Sequence, residues 1–274
     1  PEYYPTRAER ALLRSFAPGW VAAEQPRSLV ELGAGSADKT RIILEAMGAA
    51  NDAAGPTRPV YVPVDISGEY LKAVAESLRS EYPALQVAPM VADISAGFLR
   101  PTRLPSPAAF ALLGSTIGNF KPANAVRLLR RIRDAMQDGD RLLLGVDLKK
   151  DRATLEAAYN DAAGVTAAFN RNVLHVLNRE LAADFDPAAF EHRAFYSEEE
   201  GRIEMHLVAR RPQVVRIPGI RRVSFREGES LRTELSHKYD RKTVTALLQQ
   251  AGLGLDRWEP DRGDSFALAV ARAD

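Results

Sequence analysis

The sequence contains no cysteine. Disulfides, thiolate metal sites and thiol nucleophiles are therefore excluded, and the chain is suited to a reducing compartment. Histidine is also scarce. The four residues His175, His192, His206 and His237 include no close-spaced ligand pair, so no metal site is expected. Net charge is nearly absent: Lys and Arg number 37 against 36 Asp and Glu, a formal +1. No long-range field then draws the chain to a polyanion, and no nucleic-acid partner is expected. No apolar run reaches the length of a membrane span, and no signal peptide precedes the first expected strand. A cytoplasmic monomer acting on a small molecule is the expectation. An initiator methionine is missing too, since the chain opens at Pro1, which suggests a fragment or a processed chain.

What is present is apolar material. The 274 residues are 46% hydrophobic, enough for one sizeable domain with a substantial insertion. Apolar periodicity predicts a helix over 6–23, followed by the buried strand "LVELG". A helix over about 38–47, the Gly/Pro/Asn-rich loop "GAANDAAGPTRP" and the strand "VYVPVDIS" come next. Helix "GEYLKAVAESLRSEY", strand "LQVAPMVADI", the apolar run "AAFALLGSTIGNF", helix "KPANAVRLLRRIRDAM" and strand "RLLLGVDL" continue the alternation. Strands alternating with helices predict an α/β fold with a parallel sheet and right-handed crossovers. The alternation stops near Lys149. Two helices within 151–181 and several short strands of alternating polarity read as an α+β insertion over 149–240, before a last helix and strand pair over 241–274. Residues 1–10 are expected to contribute to the insertion's side of the site.

The stretch "ELGAGSADKT" places Gly33 and Gly35 after the first strand, as in a dinucleotide-binding turn, but Asp38 stands where the third glycine belongs. An anion there would repel a phosphate. The turn suits a ligand with an adenosyl group and no phosphate, for which S-adenosylmethionine is the candidate. Asp65 closes the second strand, where a carboxylate can accept ribose hydroxyls. Asp93 closes the third, where one can accept from the adenine amine, with Ile94 as an apolar neighbour. Glu31 ends the first strand beside the methionine part. Each residue also has a plainer role: an Asp at a strand end caps the next helix, and Lys39 can pair with Glu45 on a helix. Three such groups in register at successive strand ends favour a cofactor site.

The segments "PEYYPTR", "ELGAGSADKT", "LLGSTIGNF", "YNDAAGVTAAFNRNVL", "RIEM" and "TELSHKY" together resemble the histidine-specific N-alpha-methyltransferases of ergothioneine biosynthesis, over nearly the whole chain. The resemblance implies a Rossmann-like class I methyltransferase fold. It also implies transfer of three methyl groups from S-adenosylmethionine to the α-amine of L-histidine, giving hercynine. It assigns the cofactor to Tyr3, Gly33, Lys39, Asp65, Asp93 and Ile94, where the family commonly has Phe at the last. Gly114, Thr116 and Asn119 would line the transfer site, with Asn119 at the substrate's amino acid end and Tyr159 on its carboxylate. Met205 would pack near the imidazole, and Glu234 and Ser236 would serve the ring nitrogens. It further implies a substrate-contacting tyrosine upstream of Pro1.

The chemistry is consistent with those residue types. An in-line displacement at a sulfonium needs a deprotonated amine held close, so positioning carries most of the catalysis and no strong side-chain base is required. Residues two apart on a strand share a face, so Glu234 and Ser236 can reach one pocket. Read alone, "SLRTELSHKY", polar throughout, reads more readily as a solvated strand face than as a pocket wall. Two other functions fit the same motifs: a methyltransferase for another amino acid amine, and a catalytically silent S-adenosylmethionine-binding protein.

Overall fold

The computed structural model describes residues 2–54, 58–97 and 100–274. Pro1, at the head of "PEYYPTR", and Gly55, Pro56 and Thr57 of the second loop lie outside the described residues. In chain order come α1 (Pro5–Glu24), β1 (Ser28–Leu32), α2 (Thr40–Ala54), β2 (Val60–Asp65), α3 (Gly68–Glu81), β3 (Gln86–Val87), β4 (Met90–Val91), β5 (Ala108–Leu112), a 3-10 turn (Thr116–Asn119), α4 (Pro122–Ala135) and β6 (Arg141–Asp147). Next are α5 (Arg152–Tyr159), α6 (Val165–Leu181), β7 (Phe190–Ser197), β8 (Arg202–Ala209), β9 (Gln213–Ile217), β10 (Arg221–Phe225) and β11 (Ser230–His237). The chain closes with α7 (Arg241–Gln250), β12 (Leu253–Pro260) and β13 (Phe266–Ala273). Two compact units result: Pro5–Leu148 with Tyr239–Asp274, and Glu2, Tyr3 and Tyr4 with Lys149–Lys238.

The larger unit is a sheet in the order β12-β13-β6-β5-β1-β2-β3, with β4 also pairing β2. Pairs among β1, β2, β3, β4, β5 and β6 are parallel, while β13 runs antiparallel to β6 and β12 to β13. "SLVEL" and "AAFAL" are buried at every position, as central parallel strands covered on both faces must be. One face packs Val30, Leu32, Phe110 and Leu112 against Ile132 of α4 and Leu248 of α7. The other packs Leu29, Ala109 and Leu143 against Leu13, Phe16 and Trp20 of α1 and Ile43 of α2. Strand order reverses between β1 and β5, so the crevice at their carboxyl ends is where such sheets bind ligands.

Two expectations are corrected. Helix α2 runs past Met47 to Ala54, through residues expected in a loop; alanine-rich sequence sustains a helix that Gly48 and Asn51 alone do not stop. The third strand is split into two-residue pieces around Pro89, which has no N–H to give the ladder.

The smaller unit holds a three-stranded antiparallel sheet, β11-β8-β7, and the antiparallel pair β9 and β10. Leu174 of α6 packs with Phe185, Phe190, Leu207 and Phe225, the last two phenylalanines meeting edge to face with centroids 5.3 Å apart. Leu155, Ala158 and Tyr159 of α5 form a second cluster with Ala194, Ile203 and Met205. Among the described residues no helix is long and apolar enough to cross a membrane.

Candidate active site

In the larger unit, β1 leads into a turn whose Gly33, Gly35 and Ala37 all have positive φ, +74°, +48° and +55°. Gly33 and Ala34 donate their N–H groups to the Val64 carbonyl (2.8 and 3.2 Å), tying the turn to the end of β2. A Cβ on Gly35 would meet nothing within 4 Å, so the turn presents open main chain. The anion at the third position is held locally: Ser36 donates to Asp38 at 2.8 Å, and Arg41 stands 3.5 Å away.

The end of β5 makes a matching turn. Gly114 (φ +74°) is followed by Ser115 (φ +55°), an uncommon left-handed conformation for a residue with a side chain. The Ser115 hydroxyl accepts from the Asp147 N–H at 3.0 Å, which holds the turn against β6. Thr116 donates to the Leu113 carbonyl at 2.7 Å, and its methyl lies 4.0 Å from where a Gly33 Cβ would be. Gly33 and Thr116 therefore face each other at the switch point. Asn119 ends the 3-10 turn and is exposed.

Lys39 precedes α2 rather than lying on it, and it pairs with Glu9 at 2.6 Å, not with Glu45. Glu9 was not anticipated as a site residue. Its signal was a charge on the apolar stripe of α1, in register with Pro5, Leu12, Leu13 and Phe16. Glu31 is buried and accepts from the Tyr61 hydroxyl at 2.5 Å; burial pushes its carboxyl up to about 7. Asp65 accepts from the Ser67 N–H at 3.1 Å. Asp93 accepts from the Ser95 N–H at 2.8 Å, and the Ser95 hydroxyl and main chain hold its carboxyl below the usual range. Ile94 is half-buried against the core.

In the smaller unit, Tyr159 is the last residue of α5. Its hydroxyl donates to Ser236 at 3.0 Å and accepts from Lys238 at 3.0 Å, while Lys238 donates to Ser236 at 2.9 Å. Three polar tips thus converge in a buried triangle. The Tyr3 ring meets the Tyr159 ring edge-on, 5.8 Å between centroids. Met205 shares the apolar cluster of Tyr159 and pairs across the sheet with Glu234. Burial raises the Glu234 carboxyl, with Lys238 acting in the opposite sense. Among the described residues no hydrogen-bond donor reaches Glu234. Lys238, one residue past the end of β11, was also missed.

Much of "YNDAAGVTAAFNRN" is scaffold for Tyr159. Asn160 donates to the Glu156 and Ala194 carbonyls, and Asp161 caps α6 through the Val165 and Thr166 N–H groups, both at 2.8 Å. Those bonds, led by Thr166, push the Asp161 carboxyl down to about 2. Buried Asn170 bonds the His192 ring at 2.9 Å, and that ring reaches the Tyr159 carbonyl at 2.8 Å.

The left-handed turns at 33–37 and 114–115, the carboxylates at the ends of β2 and β4 and the Lys39 ammonium fit S-adenosylmethionine, which presents an adenosyl group, ribose hydroxyls and a carboxylate. With the parallel-rich sheet and its antiparallel edge pair, they define a class I methyltransferase fold. A solved S-adenosylmethionine-dependent methyltransferase from Clostridium acetobutylicum has the same fold, with TM-score 0.54 at 11% identity, covering 96% of this chain and 91% of that one. The chain belongs to the family of histidine-specific, S-adenosylmethionine-dependent methyltransferases, whose profile matches residues 1–273. It is 43% identical to a histidine N-alpha-methyltransferase from Mycolicibacterium smegmatis, over 99% of this chain and 83% of that protein. It is 42% identical to one from Mycobacterium tuberculosis, with the same coverage.

Proposed function

We propose that the enzyme trimethylates the α-amine of L-histidine to hercynine, as a step of ergothioneine biosynthesis. The observation that carries the substrate choice is Glu234, a half-buried carboxyl with no hydrogen-bond donor among the described residues. An acceptor partly withdrawn from water and left unpaired carries a desolvation cost, which raises its carboxyl, and an imidazole N–H is a group that would satisfy it. The neighbouring Ser236 hydroxyl, which already accepts from Tyr159 and Lys238, keeps its O–H to donate to the second ring nitrogen. Met205 supplies the apolar contact for the ring face.

The other assignments follow from chemistry and family likeness. Gly33, Lys39, Asp65, Asp93, Ile94 and Tyr3 hold S-adenosylmethionine, which when bound supplies an electrophilic methyl group on a sulfonium. Gly114 and Thr116 line the place of transfer. Asn119 takes the substrate's amino acid end and Tyr159 its carboxylate, beside the Lys238 ammonium. These residues orient the amine and exclude water; a neutral amine is favoured by desolvation near a positive centre, so no side chain need remove its proton. Successive methylations enlarge the nitrogen and remove its donors. Anchoring by the ring and carboxylate, not by the amine, then lets one site serve three transfers.

Mass spectrometry of L-histidine incubated with S-adenosylmethionine and the enzyme tests this. The expected result is histidine carrying three added methyl groups. Cofactor binding with no methylated histidine, while another amino acid is consumed, would overturn the substrate assignment.

A further inference from the structure

Glu9 lies on α1, well before the glycine turn, yet its side chain is fully buried at the junction of both site turns. One carboxylate oxygen takes the Lys39 ammonium at 2.6 Å. Both oxygens accept from the Gly114 N–H, at 2.8 and 3.0 Å. The surroundings are cut to fit. A Cβ on Gly145 would lie 2.1 Å from the Glu9 carboxylate, and one on Gly114 would lie 2.8 Å from the Lys39 nitrogen. Both strands, β5 at its exit and β6 at its middle, therefore use glycine where the carboxylate and the ammonium pass.

Stability alone does not account for this arrangement. A buried ion pair contributes little over an apolar filling of the same volume, and the stripe of α1 around Glu9 is otherwise apolar. What the carboxylate does supply is geometry: one rigid group fixes an ammonium and a main-chain N–H at once, through charge-assisted bonds. Lys39 is 21% exposed while Glu9 is not exposed at all, so the ammonium retains an open side.

We infer that Glu9 is a positioning residue for the cofactor: it holds Lys39 and the Gly114 turn in the arrangement that binds the carboxylate end of S-adenosylmethionine. This rests on the proposed placement of the cofactor at Gly33, Lys39 and Gly114. Helix α1 is thereby part of the cofactor apparatus and not only a cover for the sheet. Glu31, the second buried carboxyl acting on Lys39, faces β2 through Tyr61 and does not bridge the two turns.

The test is calorimetric titration of S-adenosylmethionine into the parent, E9Q and K39M enzymes and the E9Q/K39M double variant, with melting temperatures and both Michaelis constants. E9Q should weaken cofactor binding by roughly tenfold, the effect of losing one charge-assisted bond, and raise the KM for cofactor but not that for histidine. Added to K39M, it should weaken binding no further, because it acts through Lys39. A lowered melting temperature with unchanged cofactor affinity in E9Q would overturn the inference. Unchanged affinity in K39M as well would instead overturn the cofactor placement. Should E9Q not fold, E9D, which keeps the charge but shortens its reach, decides by the same criterion. If neither folds, the carboxylate serves the scaffold and the inference falls.

Discussion

The larger unit carries its proposed chemistry mainly in main-chain conformation, the smaller unit mainly in side chains. At the ends of β1 and β5, Gly33, Gly35 and Gly114 take positive φ, Gly35 presents open backbone, and Glu9 and Lys39 neutralise each other where they are most buried. In the smaller unit, Tyr159, Ser236 and Lys238 form a triangle of polar tips, and Glu234 holds a half-buried carboxyl with no donor among the described residues. A shared cofactor can be gripped by geometry that many sequences provide, whereas choosing one amino acid requires particular side chains at particular spacing. That difference predicts which changes affect cofactor binding and which affect substrate choice.

The largest expected effect is in the smaller unit. E234A should lower kcat/KM for histidine on the order of a thousandfold, since a ring N–H then loses its charged partner in a buried site. Steady-state kinetics with histidine as the varied substrate checks it, and a change below about tenfold would break the comparison. Next is the interior of the larger unit. Burial raises Glu31 from 4.5 to about 7, so the folded chain binds this proton more tightly than the unfolded chain. The associated stability is full below 4.5 and is lost as pH rises through about 7. E31Q, with no proton to lose, should gain up to about 3 kcal/mol on the parent between about pH 4 and about pH 8, read by denaturant melts at both.

Smaller again is G114A. A side chain at φ +74°, 2.8 Å from the Lys39 nitrogen, should cost about 1–2 kcal/mol of stability and weaken cofactor binding without altering the KM for histidine. The smallest effect sharpens the contrast by location. Arg179 and Glu180 form an exposed pair on the smaller unit, and R179A should change stability by less than about 0.5 kcal/mol and neither Michaelis constant.

The larger unit was legible because alternating strands and helices with continuous apolar runs admit few topologies. Its errors were local: Pro89 split a strand that reads as continuous, and α2 ran through a stretch whose glycine and asparagine look like a loop. Glu9 escaped notice because its partners, Lys39 and Gly114, are 30 and 105 residues away, and only the folded sheet brings them together. In the smaller unit the motif around Tyr159 is distinctive in sequence, but the text alone does not separate its scaffold from its chemistry. Asn160, Asp161 and Asn170 tie down the end of α5, the start of α6 and the His192 ring behind Tyr159. Lys238 sits just past β11, where the strand's alternation ends, and its place beside Tyr159 depends on a helix 79 residues earlier.

The most direct test of this division is calorimetric titration of S-adenosylmethionine into E234A. If the larger unit binds the cofactor and the smaller unit selects histidine, the dissociation constant will match that of the parent although histidine turnover is lost. Loss of cofactor affinity in parallel with turnover, in a variant that remains folded, would contradict the account.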